Sequence, residues 1–267
     1  MGRKKAINGF RITLIPQVPK LENVSEHFES NSIFEEYDEN STFTAPQRPQ
    51  KHSPKAQERD ANLHKYWLQR YSYFSKLDEG ILIDREGWYS VTPEVIASHI
   101  ASWVPRKATV LDGFCGVAGN SIAFARRGCR VTAVELDRSR LRLAINNSRV
   151  YHTCIKFVHG DYCQQVLNST YDVVFLSPPW GGPSYQSKDV FRLADIQLTS
   201  DGQTVDGFEI FRLARAASPN VIYFLPRNTS ILDIASLAPK FYLEQHWLDG
   251  KFKAITVYTG PLFQNQK

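Results

Sequence analysis

From residue 105 onward the chain alternates short apolar runs with amphipathic stretches. Residues 108–114 form an apolar run of strand length, and residues 120–127 carry helical spacing that ends at Gly128. Residues 130–136 predict a second strand, and residues 138–150, apolar at 141, 143, 145 and 150, predict a second helix. Further strands are expected over 155–158, 172–176 and 220–225. Strands alternating with helices predict an α/β architecture with a parallel, doubly wound sheet. Near the C-terminus, apolar runs over 242–248 and 252–259 flank Asp249-Gly250, whose tolerance of left-handed backbone marks the turn of an antiparallel hairpin. On the N-terminal side, Leu63, Tyr66, Trp67, Arg70 and Phe74 recur at helical spacing, predicting one amphipathic helix over 59–79. Thr92-Pro93-Glu94 then offers an N-cap, a proline at the first helical position and an acid against the helix dipole, ahead of a helix to about residue 103.

The chain is 42% hydrophobic and 12% aromatic over 267 residues, enough for one good core and a small accessory element. We expect three parts: a tail over 1–58, a helical accessory element over 59–104 and the α/β domain over 105–267. Seven acids and no Lys or Arg stand between Glu22 and Glu39, and Pro46, Pro49 and Pro54 follow among polar residues, so the tail is expected to be mostly disordered. Without a charged-then-apolar leader or a membrane-length apolar run, the protein is expected to be soluble and intracellular. The tail carries eight Lys/Arg and eight Asp/Glu, so the net charge of +5 resides wholly in the remainder, with 24 against 19. A polyanionic partner suits that surplus without being required by it. Cys115, Cys129, Cys154 and Cys163 have neither CxxC spacing nor a paired His/Cys cluster, which leaves a zinc site and a disulfide framework unsupported.

Chemistry concentrates at two strand ends. The first strand runs into Asp112-Gly113-Phe114-Cys115-Gly116-Val117-Ala118-Gly119-Asn120, an acid and then a glycine-containing loop that opens a helix. Small residues let the backbone approach a ligand, and the helix start offers free N–H groups. The glycines stand three apart, so the dinucleotide spacing GxGxxG is absent. An acid in the loop would repel phosphate and welcome the ammonium of a methionine moiety, which favours a nucleotide-sulfonium cofactor; a structural turn is the competing reading. Glu135 ends the second strand a little over twenty residues later, where an acid accepts both hydroxyls of an adenosine ribose. Asp161 follows the third strand, as an adenine contact or as a helix cap.

The fourth strand ends in Ser177-Pro178-Pro179-Trp180-Gly181-Gly182-Pro183-Ser184-Tyr185. Two consecutive prolines remove backbone donors and stiffen the turn, leaving fixed carbonyls that can accept from an amino group. Trp180 supplies a stacking face for a planar base. This is a form of the Asp/Asn/Ser-Pro-Pro-aromatic motif of amino-group methyltransferases.

The runs SPPWGGPSY, DGFCGVAGN, HKYWLQRYSYF and DREGWYSVTPE together resemble the trimethylguanosine synthase family, whose members hypermethylate RNA caps; the resemblance spans roughly residues 60–260. It implies a class I (Rossmann-like) S-adenosylmethionine-dependent methyltransferase, its doubly wound sheet ending in an antiparallel hairpin and preceded by a small N-terminal helical element. It implies S-adenosylmethionine as donor, no metal, and the 2-amino group of a 7-methylguanosine cap on small nuclear and nucleolar RNAs as acceptor. Capped RNA would be the partner, with ribonucleoprotein components beside it, no membrane, a monomeric chain and a nuclear, nucleolar location. The resemblance places Ser177, Pro178 and Trp180 at the reaction centre. Asp112, Phe114, Gly116, Gly119, Glu135, Asp161, Phe74 and Thr92 would hold the donor, with core packing the alternative for Phe74 and Thr92. Trp180 and Asn147 would meet the base, and Tyr185, Lys65 and Arg227 the cap phosphates, unless the two cations are merely solvated. Two departures stand out: Ala118 occupies a position where the family usually has glycine, which would narrow the cofactor loop, and the N-terminal region is short and neutral. Two other readings share these features: methylation of an adenine or internal guanine amine in RNA, and a non-catalytic cap-binding module.

Overall fold

A computed structural model of the protein describes residues 6–7, 10–11 and 63–264. Ala6–Ile7 and Phe10–Arg11 pair antiparallel; the rest of the expected tail lies outside the described residues. The accessory region contains α1 (His64–Trp67), α2 (Arg70–Tyr73), a 3-10 turn at Leu77–Glu79, α3 (Arg85–Ser90) and α4 (Glu94–Ser102). Then follow β1 (Thr109–Asp112), α5 (Gly119–Arg127), β2 (Arg130–Glu135), α6 (Arg138–Val150), β3 (Ile155–His159), α7 (Tyr162–Gln165) and β4 (Val173–Leu176). A short hairpin, β5 (Gln197–Ser200) and β6 (Gln203–Asp206), is inserted before α8 (Gly207–Ala217), β7 (Val221–Pro226), α9 (Ile231–Leu237), β8 (Phe241–Leu248), β9 (Lys251–Thr259) and α10 (Pro261–Gln264).

Seven strands form one sheet in the order β3-β2-β1-β4-β7-β9-β8. β3, β2, β1, β4 and β7 are parallel, and β9 runs antiparallel between β7 and β8. Strand alternation feeds two apolar layers. Val173 and Phe175 of β4 join α4 and α5 on one face, whereas Val174 and Leu176 join α8 and α9 on the other. Among the described residues no helix is long and apolar enough to cross a membrane.

The helix expected over 59–79 is broken. On an unbroken helix Trp67 and Tyr73 would point about 120° apart. Interrupted at Gln69, the chain instead brings both rings onto Trp88 of α3, at 5.7 and 6.4 Å. Phe74 is extended and buried. Packing against Trp88 thus overrides the local helical periodicity. Thr92 is also not the cap of α4. Pro93 holds that position, and the Thr92 hydroxyl accepts instead from Asn120 Nδ2 at 2.9 Å. The inserted β5–β6 hairpin and helices α3, α8 and α9 are additions that the alternating pattern does not mark.

Candidate active site

Where neighbouring parallel strands leave the sheet in opposite directions, the connecting loops part and open a crevice at the carboxyl ends. Here that point lies between β1 and β4. A cavity of about 930 Å³ occupies it, lined by Gly113–Gly116 after β1, Glu135 after β2, Asp161 after β3 and Ser177–Trp180 after β4. The accessory helices close it with Lys65, Tyr66, Tyr89 and Thr92. The two sequence motifs therefore face one enclosure.

The loop after β1 is shaped by its glycines for different reasons. Gly116 has φ +55°, and a Cβ there would meet nothing within 4 Å, so it presents bare backbone to open space. A Cβ on Gly113 would lie 2.5 Å from the Tyr162 ring, so this glycine lets the loop rest on an aromatic. Ala118 also takes a left-handed conformation, φ 73°, but it is wholly buried in the apolar layer and absent from the cavity wall. Its methyl therefore does not narrow the cofactor loop. Gly119 lines the cavity with its back to Val91 and Thr92.

Glu135 is fixed by two backbone donors, Gly116 N–H to Oε2 at 3.0 Å and Asp137 N–H to Oε1 at 2.9 Å. Each carboxylate oxygen keeps a further lone pair for ribose hydroxyls. Burial raises its pKa against those bonds and the Arg140 charge. Arg140 bridges Asp84 and Glu86, at 2.9 and 2.6 Å, and so ties α6 to α3 on the same side of the cavity. Asp161 lines the cavity while accepting from Cys163 N–H at 2.8 Å, so the helix-cap role is present and its other oxygen is uncommitted to that bond.

Asp112 stands behind the loop and outside the cavity wall, fully buried. Ser121 Oγ donates to its Oδ2 at 2.5 Å, and Oδ1 has no hydrogen-bonding partner among the described residues. Burial pushes its carboxyl up to about 7, with the Ser121 hydroxyl and Phe114 amide pulling the other way. Asn120, held by Thr92, lines the cavity with Oδ1 equally unpartnered. The orphaned Asn120 acceptor beside an open glycine face fits a donor molecule that brings N–H groups.

At the end of β4, Ser177 Oγ donates to the Phe114 carbonyl at 3.3 Å, which leaves its oxygen as an acceptor. Pro178 is buried and Pro179 exposed. Trp180 meets Tyr185 edge-on (5.4 Å, 87°) and Phe224 at a tilt (5.4 Å, 35°), and its Nε1 has no partner among the described residues. Tyr185, Lys65 and Arg227 all line the same cavity.

Three expected ligands lie outside the wall: Asp112, Asn147 and Phe74. Asn147 is wholly buried and saturated by backbone: Leu82 N–H donates to Oδ1 at 2.8 Å, and Nδ2 donates to the Leu82 and Val117 carbonyls at 2.8 and 3.0 Å. It clamps the accessory segment to the loop and does not reach the base pocket. Phe74 packs on Tyr151 and lies behind Gly119, outside the wall. Lys251, Phe252 and Lys253, missed in the sequence, also line the cavity. A cation beside a hairpin turn carries no sequence signal distinguishing it from a solvated one.

A model of the RNA cap guanine-N2 methyltransferase family matches residues 107–261. Over 211 residues the chain is 37% identical to trimethylguanosine synthase of Schizosaccharomyces pombe, covering 73% of this chain and 85% of that protein. It is 35% identical over 194 residues to trimethylguanosine synthase of Saccharomyces cerevisiae, covering 68% of this chain and 60% of that one. A solved structure from Porphyromonas gingivalis, described as a methyltransferase, superposes with TM-score 0.58 at 14% identity over 76% of this chain and 49% of that one, a likeness of fold alone. Sheet order, hairpin and crevice define a class I methyltransferase. The chain belongs to the RNA cap guanine-N2 methyltransferase family.

Proposed function

We propose that the chain transfers methyl groups from S-adenosylmethionine to the exocyclic 2-amino group of a 7-methylguanosine RNA cap, giving di- and trimethylguanosine caps. The observation that carries this is that the Ser177-Pro178-Pro179-Trp180 turn and the Gly113–Gly116 loop line one cavity. Bound against Gly116, Asn120 and Glu135, S-adenosylmethionine supplies an electrophilic methyl group. The amine of guanine is a weak nucleophile because its lone pair is conjugated into the ring. Ser177 Oγ and the Pro178 carbonyl accept its N–H groups and hold the lone pair toward the loop, so rate comes chiefly from positioning. Bound there, the donor would retain the electron pair of its broken C–S bond, and the surplus proton of the methylated amine would leave to water. Trp180 stacks on the cationic 7-methylated ring, a contact worth roughly 0.5–2 kcal/mol over the neutral base. Lys65, Arg227 and Tyr185 lie where they can meet the cap phosphates.

Small nuclear and nucleolar RNAs as acceptors, a monomer acting beside ribonucleoprotein components, and a nuclear, nucleolar setting complete this reading. It is supported by the family resemblance. The test is to offer 7-methylguanosine and unmethylated caps with labelled donor and to weigh the products. Two successive methyl additions on the 7-methylated cap are expected, and methylation of internal guanosine or adenine in place of the cap would overturn the reading.

A further inference from the structure

The cavity wall carries a feature that the reading above leaves unused. Trp247 of β8 and Phe252 of β9 are cross-strand partners beside a register shift at His246/Trp247, and their rings stack at 5.1 Å with planes only 8° apart. Phe252 belongs to the cavity wall, whereas Trp247 stands beyond it and is 37% exposed. An aromatic pair can be there simply to hold a hairpin together. Its surroundings point further. Lys251 and Lys253 flank Phe252 in the same wall, and burial, with the charges of Lys251 and, to a lesser degree, Arg227, lowers the pKa of the Lys253 ammonium. Asp249 at the turn opposes them, and Lys253 Nζ donates to Gln69 Oε1 at 3.2 Å. Cations are thus concentrated where they repel one another, as in a site awaiting an anion, and an accessible stacked aromatic pair adjoins them.

We propose that Trp247 and Phe252 form a shelf for the base of the first nucleotide joined to the cap triphosphate. The wall holds what that ligand needs: Trp180 for the cap base, Lys65, Arg227, Lys251 and Lys253 for phosphates, and Phe252, backed by Trp247, for the next base. Proteins that bind single-stranded nucleic acid combine these elements, stacking successive bases on aromatics beside a cationic groove. The shelf reads no sequence, because every base has a π-face. The proposal rests on the cap-methylation reading for the position of the triphosphate.

The test compares equilibrium binding of 7-methylguanosine triphosphate and of the cap dinucleotide with adenosine as its second base, on the full chain, its Trp247→Ala variant and its Trp247→Phe variant. The parent should bind the dinucleotide on the order of tenfold more tightly than the mononucleotide. Trp247→Ala should erase most of that ratio and leave mononucleotide affinity within about twofold, while Trp247→Phe, retaining a stacking ring, should keep most of it. Equal weakening of both ligands by Trp247→Ala would make the residue a packing element and overturn the proposal. So would an unchanged ratio, or a parent that binds the two ligands equally. Product mass measured in parallel separates the two readings: absence of methylated product from a parent that binds both ligands overturns cap methylation, while the binding ratio still decides the shelf.

Discussion

Trp180 is oriented by its neighbours, with Tyr185 edge-on and Phe224 tilted against it. The donor-binding groups, Gly116, Asn120 and Glu135, belong to the loop after β1, the start of α5 and the end of β2. Trp180→Ala should therefore abolish methyl transfer while calorimetry finds donor affinity within about twofold of the parent; loss of the donor would show that the two halves of the cavity are not separable. Asp112 gives a pH dependence. Its native carboxyl keeps a proton to about 7 against an ordinary value of 3.8, so folding takes up a proton between those values. The group's contribution to stability is greatest below the lower value and falls as pH rises through the window. Asp112 stands outside the wall, so an ammonium in the cavity acts on it through the loop and favours the ionised form; donor affinity should then rise with pH through about 7 and level off above it. Asp112→Asn should flatten that profile, and a parent whose donor affinity is constant from pH 6 to 8 would remove Asp112 from any role toward the donor. Glu135, Gly116 and Ser177 were legible in the sequence because strand-end chemistry restricts which residue types can serve there. Asn147 and Phe74 were not, since an amide or a ring in an amphipathic stretch reads the same whether it faces a ligand or a neighbouring backbone.

The accessory helices are too short to stand alone, each described one before α4 having four to six residues. They are held by convergence on Trp88 and by the Asn147 clamp, which reaches from α6 to Leu82 and Val117. Asn147→Ala would leave a buried N–H and two carbonyls without partners, a cost of roughly 3 kcal/mol or more. In a domain of this size that corresponds to a fall in melting temperature of about 6–12 °C. Because Val117 adjoins Gly116, donor affinity should fall with it, and Asn147→Asp, unable to donate, should not restore either. A melting temperature within about 2 °C of the parent would show that water replaces the amide. At this scale the sequence marked every strand of the main sheet to within a residue or two, because two-layer burial forces continuous apolar runs such as Val173–Leu176. It missed the break at Gln69, which is set by Trp88 some twenty residues away. It also missed the β5–β6 insertion, whose Leu198 and Thr199 line the cavity. Its Gln-Thr-rich strands carry too little apolar alternation to stand out.

At the scale of the molecule, the sheet order places two ligands of opposite electrostatic character in one crevice. The donor side presents acids, Glu135, Asp161 and the buried Asp112 beneath them, whereas the opposite rim carries Lys65, Arg227, Lys251 and Lys253. The net charge of +5 is thus less informative than its distribution. Rim cations are exposed or half-buried and act through solvent, where screening shortens their reach from about 14 Å at 0.05 M salt to about 4 Å at 0.5 M. The donor contacts Asn120 and Glu135 are buried, where screening is weak, so salt should hardly touch them. Raising salt across that range should therefore increase KM for a capped substrate by about tenfold or more and leave KM for the donor within about twofold. The loss should grow with the number of phosphates, from the 7-methylguanosine monophosphate to the triphosphate, because each added phosphate has a further cation to meet. Charge reversal at Lys251 or Arg227 should reduce the salt slope for the triphosphate and leave the response to a neutral 7-methylguanosine nucleoside unchanged. A donor KM that rises as steeply as that of the cap would contradict this partition, since it would mean that the acidic and basic walls do not act on separate ligands.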